Sequence, residues 1–284
     1  MQLGIRAHDL GPDSAQALAH RAAERGLQLV QLAPGKALVP PLRPGQFDPV
    51  AIREITRAFA QCGVEIAVLG CYINPIHPDP DIRRAELTRF KETLRHAAEF
   101  GCALVATETG SRHADCSFHP DNHSAAAFGE LLDVLGMLGE EARAQGVSIG
   151  IEAAAEHVIH DVGSLHRTIT ALDAKAIKLV FDPVNIMGAP ELLNQGGFLD
   201  SALASLGPRI AALHVKDVVL ENGRLRRVPP GQGLLDYPGL LTRMRQLKGD
   251  MPVIMEETDQ PAERDAALRY LRDHIHRYDQ ALQH

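Results

Sequence analysis

The sequence lacks the features that would place it in a membrane or on nucleic acid. No apolar run approaches the ~20 residues that a membrane-spanning helix needs. The first residues, Met1–Asp9, contain no apolar segment of the signal-peptide kind. No basic run occurs, and the net charge is −7. We therefore predict a protein with neither a membrane nor a nucleic acid as its main partner.

Cysteine is scarce and is not arranged for metal binding. The four cysteines are Cys62, Cys71, Cys102 and Cys116, and no two of them form a C-x-x-C pair. This pattern is typical of buried free thiols in a reducing compartment. We therefore expect a cytoplasmic protein.

Internal sequence repeats are also absent, but short apolar runs alternate regularly with longer amphipathic stretches. The runs predict eight strands: Leu3–Ala7, Leu27–Leu32, Glu65–Leu69, Ala103–Thr107, Val147–Ile151, Ile177–Phe181, Ile210–Val215 and Pro252–Met255. The intervening stretches predict eight helices near 13–25, 48–61, 81–100, 122–145, 161–173, 190–206, 237–247 and 261–280. Eight such βα units predict one α/β domain over residues 1–284, a single (β/α)₈ TIM barrel.

Residues between these elements agree with the assignment. We expect left-handed glycines at four helix ends, namely Gly26, Gly63, Gly101 and Gly146. We expect N-caps or first-turn acids at four helix starts, namely Asp13, Asp48, Asp81 and Asp161. The alternative, an open doubly wound sheet, would have a glycine-rich phosphate turn after strand 1, and Ala7–Gly11 is not one.

Four potential metal ligands lie at the ends of the last four predicted strands. Glu152, Asp182 and Glu256 each follow an apolar run directly, and His214 lies within the seventh run. Catalytic groups of such barrels stand at these strand ends, so a closed barrel would bring the four together. Three converging carboxylates repel each other unless a cation lies between them. A single acid after one strand is more simply a helix N-cap or a solvated loop charge, but four such residues in register favour a metal site.

The ligand set also restricts the metal. One imidazole with three carboxylates is rich in oxygen and favours Mn²⁺, Mg²⁺ or Co²⁺ over a thiolate-type Zn²⁺ site. We predict one divalent ion, with Mn²⁺ ahead of Mg²⁺, Co²⁺ or Zn²⁺. Strand alternation lets only one of Glu256 and Glu257 face the lumen. We choose Glu256, because it directly follows the apolar residues of strand 8.

Further polar residues are candidates for substrate binding. His8 ends strand 1 and Glu108 ends strand 4, whereas Tyr72 and Asn74 lie in the long loop after strand 3. Lys216 shares a strand face with His214 and would bind an anionic substrate or neutralise the carboxylates. Each of these residues also has a plainer interpretation. His8 would be a buried core histidine, Tyr72 and Asn74 would belong to the loop wall, and Glu108 would be a charge beside the site. Lys216 would form a salt bridge with Asp217 or Glu256.

Several segments resemble a known family, the xylose isomerase-like superfamily of TIM barrels, known broadly as sugar phosphate isomerases and epimerases. It includes D-tagatose 3-epimerase, inosose dehydratase and, more distantly, endonuclease IV. The resembling segments are Leu69–Pro75, Thr107–Gly110, Gly150–Ala153, Phe181–Asn185, Leu213–Asp217, Pro230–Asp236 and Val253–Glu256. The resemblance implies that Glu152, Asp182, His214 and Glu256 bind the metal, and that the two glutamates act as catalytic acid and base. It also makes His157 a substrate contact.

Two departures from the family pattern bear on the substrate. Asn185 stands where the epimerases and endonuclease IV have a histidine, which sets it apart as a substrate-binding candidate. The segment Val218–Leu235 lacks the histidine with which endonuclease IV builds its metal cluster, so DNA repair is disfavoured.

The resemblance implies metal-dependent isomerisation or epimerisation of a sugar, sugar phosphate or related polyol ketone, by proton transfer through a cis-enediolate. An inosose-type dehydratase would use the same metal site, and a non-catalytic sugar-binding barrel is the third alternative. The expected partner is a small carbohydrate, and a homo-oligomer is left open.

Overall fold

The computed structural model of the chain describes residues 1–258 and 260–281. Eight parallel strands form a closed barrel in the order β1-β10-β7-β6-β5-β4-β3-β2. They are β1 (Gln2–Arg6), β2 (Leu29–Leu32), β3 (Glu65–Gly70), β4 (Leu104–Glu108), β5 (Ser148–Glu152), β6 (Ile177–Phe181), β7 (Ile210–Val215) and β10 (Pro252–Met255). The first strand closes the ring, because Gly4 pairs with Leu29 of β2 and with Ile254 of β10. The predicted TIM barrel is confirmed.

Helices surround the barrel, and each predicted helix has a counterpart among them. They are α1 (Ala15–Glu24), α2 (Pro34–Ala37), α3 (Pro49–Gln61), α4 (Pro80–His96), α5 (Ala125–Ala144), α6 (Val162–Ala171), α7 (Pro183–Ile186), α8 (Ala189–Leu193), α9 (Gln195–Leu206), α10 (Tyr237–Leu247) and α11 (Pro261–Ala281). The helix predicted at 190–206 is divided at Asn194, which caps α9 with its side chain. None of the described helices is long and apolar enough to cross a membrane.

The helix boundaries follow the local signals. The glycines after α1, α3, α4 and α5 all adopt positive φ, with Gly26 at 65°, Gly63 at 68°, Gly101 at 70° and Gly146 at 70°. Asp48 and Asp161 are N-caps, and Asp81 lies in the first turn of α4. At α1 the cap is Ser14, because Asp13 pairs instead with Arg21. Backbone geometry at most ends was therefore predictable from single residues.

The segment between β7 and α10, for which the sequence predicted neither a strand nor a helix, contains a hairpin. Strand β8 (Asp217–Glu221) pairs antiparallel with β9 (Arg224–Val228) through a turn at Asn222 and Gly223, whose φ angles are 52° and 76°. Asn-Gly is the preferred sequence for such a turn. Asp217 holds the base of the hairpin, because its carboxylate accepts hydrogen bonds from the backbone N–H groups of Val218, Gly231 and Leu235.

The barrel interior contains a small apolar layer. It consists of the buried residues Leu29, Val68, Leu104, Ala106, Val180, Ala212 and Ile254. The space is tight: a Cβ on Gly4 would lie 2.1 Å from Cδ1 of Leu29, and one on Gly150 2.9 Å from Cγ2 of Val180. This packed layer closes the barrel below the carboxyl ends of the strands and forms the floor of the site.

Candidate metal centre

Each of the four predicted ligands lies two residues after a residue that faces the barrel interior at the level of the apolar layer. Side chains alternate along a strand with a period of two, so the residue two positions after an inward-facing residue also faces inward. Gly150, Val180, Ala212 and Ile254 face the interior, and two residues after them come, in the same order, Glu152, Asp182, His214 and Glu256. The closed barrel therefore brings together the four residues that were predicted as ligands from their positions at the strand ends.

These four side chains form a compact, buried cluster. Each offers one ligand atom, and these atoms all lie within 4.8 Å of one another. All four residues are buried, with exposed fractions of 4% or less. The cluster could hold a divalent metal, and it is the one such group among the residues that the structure describes.

The histidine is oriented to serve as a metal ligand. Nε2 of His214 lies 2.8 Å from Oε1 of Gln31, so this nitrogen donates to the amide oxygen. Nδ1 has no hydrogen-bond partner, and it carries the lone pair whenever the ring is neutral. It faces Oε2 of Glu152 at 3.4 Å and Oε2 of Glu256 at 3.7 Å. Burial lowers the pKa of His214, but attraction to Glu152 and Glu256 outweighs burial and raises this pKa, so a bound metal would take the place of the proton on Nδ1. A buried nitrogen without a partner, aimed between two carboxylates, fits a cation bound at that point.

Glu152 is held by two neutral donors. The hydroxyl of Tyr72 donates to its Oε2 at 2.8 Å, and Nδ2 of Asn185 donates to its Oε1 at 2.8 Å. Burial raises the pKa of Glu152, but attraction to His214 outweighs burial and brings this pKa below its ordinary value. Tyr72 and Asn185, both predicted to bind substrate, thus orient a potential ligand. Oδ1 of Asn185 has no hydrogen-bond partner.

The carboxylate of Glu256 is held by two basic side chains. Nη1 of Arg6 donates to Oε2 at 3.0 Å, and the Lys216 ammonium contacts Oε1. Burial raises the pKa of Glu256, but attraction to Lys216, His214 and Arg6 outweighs burial and holds this pKa well below its ordinary value. Glu256 is therefore a carboxylate at neutral pH.

Asp182 uses its two oxygens differently. Oδ1 caps α7 by accepting from the backbone N–H groups of Val184 at 2.9 Å and Asn185 at 3.2 Å. Oδ2 faces the cluster and lies 2.8 Å from Nζ of Lys216. Burial raises the pKa of Asp182 to about 7, against the attraction of Lys216. The N-cap and ligand interpretations are therefore compatible, because they use different atoms.

Lys216 lies between the carboxylates of Asp182 and Glu256. Of the alternatives that the sequence left open, the contact with Glu256 is present, whereas Asp217 instead binds backbone N–H groups of the hairpin. The Lys216 ammonium therefore already supplies one positive charge to the cluster.

A cavity of about 180 Å³ opens directly above the cluster. Its walls include five of the predicted substrate-binding residues, namely His8, Tyr72, Glu108, Asn185 and Lys216. Both glutamates of the cluster also line it. Burial and repulsion from Glu152 and Glu256 raise the pKa of Glu108 to about 7. A small polar molecule in this space would touch the cluster on one side and titratable groups on the other.

Two predicted substrate contacts lie elsewhere. The amide of Asn74 is buried and donates to the carbonyl oxygens of Ser111 and His113. Nε2 of His157 lies 3.1 Å from the carbonyl oxygen of Cys116. Neither residue lines the cavity. They connect neighbouring loops to the segment after β4, so their position in a loop near the site did not indicate where their side chains point.

The cavity also includes residues that the sequence analysis did not select: Arg6, Gln31, Lys36, Arg227 and Glu257. Gln31 could have been noticed as a polar residue inside an apolar strand. Of Glu256 and Glu257, only Glu256 belongs to the cluster, as predicted. Glu257 nevertheless also lines the cavity, contrary to the expectation that strand alternation would turn it away. Glu257 has a φ of 58°, so the alternation of the strand ends there and both side chains reach the cavity.

Comparison with known proteins agrees with this architecture. No curated protein sequence matches the chain. The structure of an IolI protein with a binding zinc atom superposes with a TM-score of 0.74 at 16% identity, over 98% of this chain and 99% of that one.

Two further solved structures are similar over nearly their whole length. D-Psicose 3-epimerase with D-tagatose, from Clostridium cellulolyticum H10, gives a TM-score of 0.73 at 14% identity, covering 97% and 99% of the two chains. The probable 3-DHS dehydratase AsbF of Bacillus anthracis, involved in petrobactin synthesis, gives a TM-score of 0.74 at 16% identity. The match covers 96% of this chain and 99% of that one. At these identities the likeness shows the fold. The sequence profile of the xylose isomerase-like TIM barrel matches residues 10–274, and the chain belongs to that family.

Proposed function

We propose that this protein catalyses divalent-metal-dependent isomerisation or epimerisation of a small polyhydroxylated carbonyl compound. One observation carries the proposal: Glu152 and Glu256 belong to the four-residue cluster and also line the cavity above it. Each glutamate can therefore bind a cation through one oxygen and reach a substrate through the other. Asp182 and His214 complete the ligand set and do not line the cavity.

A divalent cation held by Glu152, Asp182, His214 and Glu256 would act as a Lewis acid toward a carbonyl oxygen, which makes the neighbouring C–H more acidic. We propose Mn²⁺ first, with Mg²⁺, Co²⁺ and Zn²⁺ as alternatives, because the donor set is rich in oxygen. Zn²⁺ belongs in the series because the IolI structure binds zinc.

The two glutamates approach the cavity from different sides. Glu152 ends β5 and Glu256 follows β10, and β6 and β7 separate these strands in the barrel. One glutamate removes the proton from the carbon next to the carbonyl, which leaves a cis-enediolate. The other returns a proton to the opposite face of that carbon for epimerisation, or to the neighbouring carbon for isomerisation. Tyr72 and Asn185 orient Glu152, and Arg6 and Lys216 orient Glu256.

Two alternatives remain distinct from this proposal. Elimination of water from the same enediolate would make the protein a dehydratase, and the similarity to a probable 3-DHS dehydratase supports that variant. The position of Lys216 favours the second alternative, a sugar-binding barrel without catalysis, because an ammonium between Asp182 and Glu256 neutralises the cluster without a metal.

Solvent exchange tests the three functions together. The metal-loaded protein is incubated in D₂O with ketoses, their phosphates and inososes, followed by NMR and mass spectrometry. For an isomerase or epimerase we expect deuterium on the carbon next to the carbonyl, in a product whose carbon and oxygen content is unchanged. Loss of water identifies the dehydratase, and no turnover with any compound favours the binding protein.

Conservative variants then test the glutamates. Gln keeps the size and an acceptor oxygen but cannot take a proton, so Glu152→Gln and Glu256→Gln should each slow exchange by roughly 10²–10⁴-fold. Glu257→Gln is the matched control, since Glu257 lines the cavity outside the cluster. Wild-type turnover in both metal-loaded cluster variants would refute the two-glutamate mechanism.

A further inference from the structure

The basic side chains that line the cavity fall into two groups. Arg6 is bound by the carboxylates of Asp9 and Glu256, and Lys216 by those of Asp182 and Glu256. Lys36 and Arg227 also line the cavity, yet neither has a side-chain hydrogen bond or ion pair with any residue that the structure describes. Two of four positive charges at the cavity are therefore not neutralised by the protein.

The hairpin directs Arg227 towards the cavity. On β9 it lies opposite Val218, whose side chain is buried, so the two share the inner face of the hairpin. Arg224 and Arg226 occupy the alternate positions on the outer face. All three arginines of β9 are exposed, but Arg226 pairs with Glu221, whereas Arg227 lines the cavity. Three of the four residues 224–227 are arginines, and two of them therefore lie on the outer face of the hairpin. The third, Arg227, lies on the inner face and lines the cavity.

Arg227 acts electrostatically on the centre of the site. Burial and repulsion from Glu152 and Glu256 raise the pKa of Glu108 at the end of β4, and the charge of Arg227 opposes part of that rise. Arg227 lines the cavity together with Glu108 and Lys216. Lys36 occupies a different part of the rim, in the short helix α2 after β2, where its charge acts on His8.

The chemistry of these groups suits an anion. A guanidinium offers a planar pair of N–H donors that matches a carboxylate or a phosphate. Lys36 and Arg227 are exposed, and a neutral polyol would use only part of their donors and would bring no counter-charge to them. The cavity is small, about 180 Å³, so a bound molecule that reaches the cluster has its other end close to the rim.

We propose that the substrate carries an anionic group, a phosphate or a carboxylate, and that Arg227 binds this group at the mouth of the cavity with Lys36 as a second cation. The inference rests on the proposed function for the position of the reacting end, which lies at the cluster. The anionic end then lies under the hairpin. Arg227 is thus a specificity residue and takes no part in proton transfer.

Equilibrium binding tests this inference without requiring turnover. Isothermal titration of the Mn²⁺-loaded protein uses D-erythrulose, D-erythrulose 4-phosphate and D-erythronate, which share a four-carbon skeleton and differ in charge. We expect at least one of the two anions to bind about 10-fold or more tightly than D-erythrulose. A phosphate or a carboxylate preference supports the inference and identifies the group when Arg227→Ala removes it. Because D-erythronate has a carboxylate where D-erythrulose has its ketone end, a carboxylate preference that persists in Arg227→Ala would show direct metal binding and would contradict the inference. Equal affinity for all three compounds would overturn it.

Variants locate the effect. Arg227→Ala should weaken binding of the preferred anion about 10- to 100-fold and leave the affinity for D-erythrulose unchanged. Arg224→Ala is the matched control, because it removes the same charge from the outer face of the same strand, and it should have no effect. Arg227→Lys should retain part of the preference. Equal losses in Arg227→Ala and Arg224→Ala would show general charge attraction and would contradict a specific contact.

This outcome is separable from the proposed function. An anion preference that depends on Arg227, in a protein that never exchanges deuterium, would support this inference and refute the proposed reaction. Deuterium exchange on a neutral sugar, with no anion preference, would support the proposed reaction and refute this inference.

Discussion

Gln31 fixes the ring of His214: its Oε1 lies 2.8 Å from Nε2 of the buried imidazole. The same amide donates through Nε2 to the hydroxyl of Tyr72 at 3.2 Å, and Tyr72 donates to Glu152. One side chain on β2 therefore aligns two potential ligands on β5 and β7. Such partners of metal-bound histidines select the ring tautomer and keep the other nitrogen available for the metal.

Replacing Gln31 by Leu removes the acceptor for His214. Because the neutral ring could then place its proton on Nδ1, we expect metal affinity to fall about 10- to 100-fold. Competition with a chromogenic chelator measures this affinity. Gln31→Glu keeps an acceptor oxygen and is the control, which should lose less. Wild-type affinity in Gln31→Leu would show that the contact does not orient the ligand.

Lys216 contacts two carboxylates of the cluster, Asp182 and Glu256, so a divalent cation bound there would compete with its ammonium. Lys216→Met removes the ammonium that contacts both carboxylates, so in the metal-free protein Asp182 loses its basic partner and Glu256 keeps Arg6. We expect tighter metal binding and a lower melting temperature of the metal-free form, with a smaller difference once metal is added. Calorimetry with and without Mn²⁺ measures both effects. Weaker metal binding in the variant would mean that Lys216 supports the metal site.

Glu108 should make the stability of the metal-free protein depend on pH. Its pKa is raised from 4.5 to about 7, by burial and by repulsion from Glu152 and Glu256. Protonated Glu108 therefore contributes stability that is fully present below pH 4.5 and is lost as the pH rises towards about 7.

Urea unfolding of wild type and Glu108→Gln over this range measures the contribution. We expect the free energy of unfolding of the wild type to fall relative to the variant by up to about 3 kcal/mol. Glu257→Gln, at the same cavity, is the control. A difference between wild type and Glu108→Gln that does not change with pH would exclude the raised pKa.

Asp217 anchors the hairpin, so Asp217→Ala should release it. The variant leaves the backbone N–H groups of Val218, Gly231 and Leu235 without their acceptor. We expect a loss of about 2–4 kcal/mol in the free energy of unfolding. Hydrogen exchange should be faster in β8 and β9 than elsewhere. Unchanged protection of β8 and β9 would mean that their pairing alone holds the hairpin.

The sequence predicted the elements whose signals are local. The apolar runs that became β6, β7 and β10 are bounded as predicted, and the alternation of strands and helices was enough to predict a barrel. The cluster of Glu152, Asp182, His214 and Glu256 could be assembled because strand ends in a barrel share one rim. These inferences needed the period of the strands and the polar residues that end them.

Other features depend on how loops fold against each other. Asn74 and His157 lie close to the site along the chain, yet their side chains bind carbonyl oxygens of the segment after β4. Arg227 reaches the cavity only because residues 217–228 form a hairpin that folds over the mouth, and Glu257 does so only because its φ is positive. Tertiary packing determines these positions, so strand periodicity could not predict them.

Metal content, measured together with anomalous scattering, shows whether the cluster binds a cation. We expect about one divalent ion per wild-type chain, with an anomalous peak between Glu152, Asp182, His214 and Glu256. We expect no peak in Asp182→Ala, because the cluster then lacks one of its three carboxylates. An unchanged metal content in that variant, or a peak at another place in the chain, would contradict the assignment.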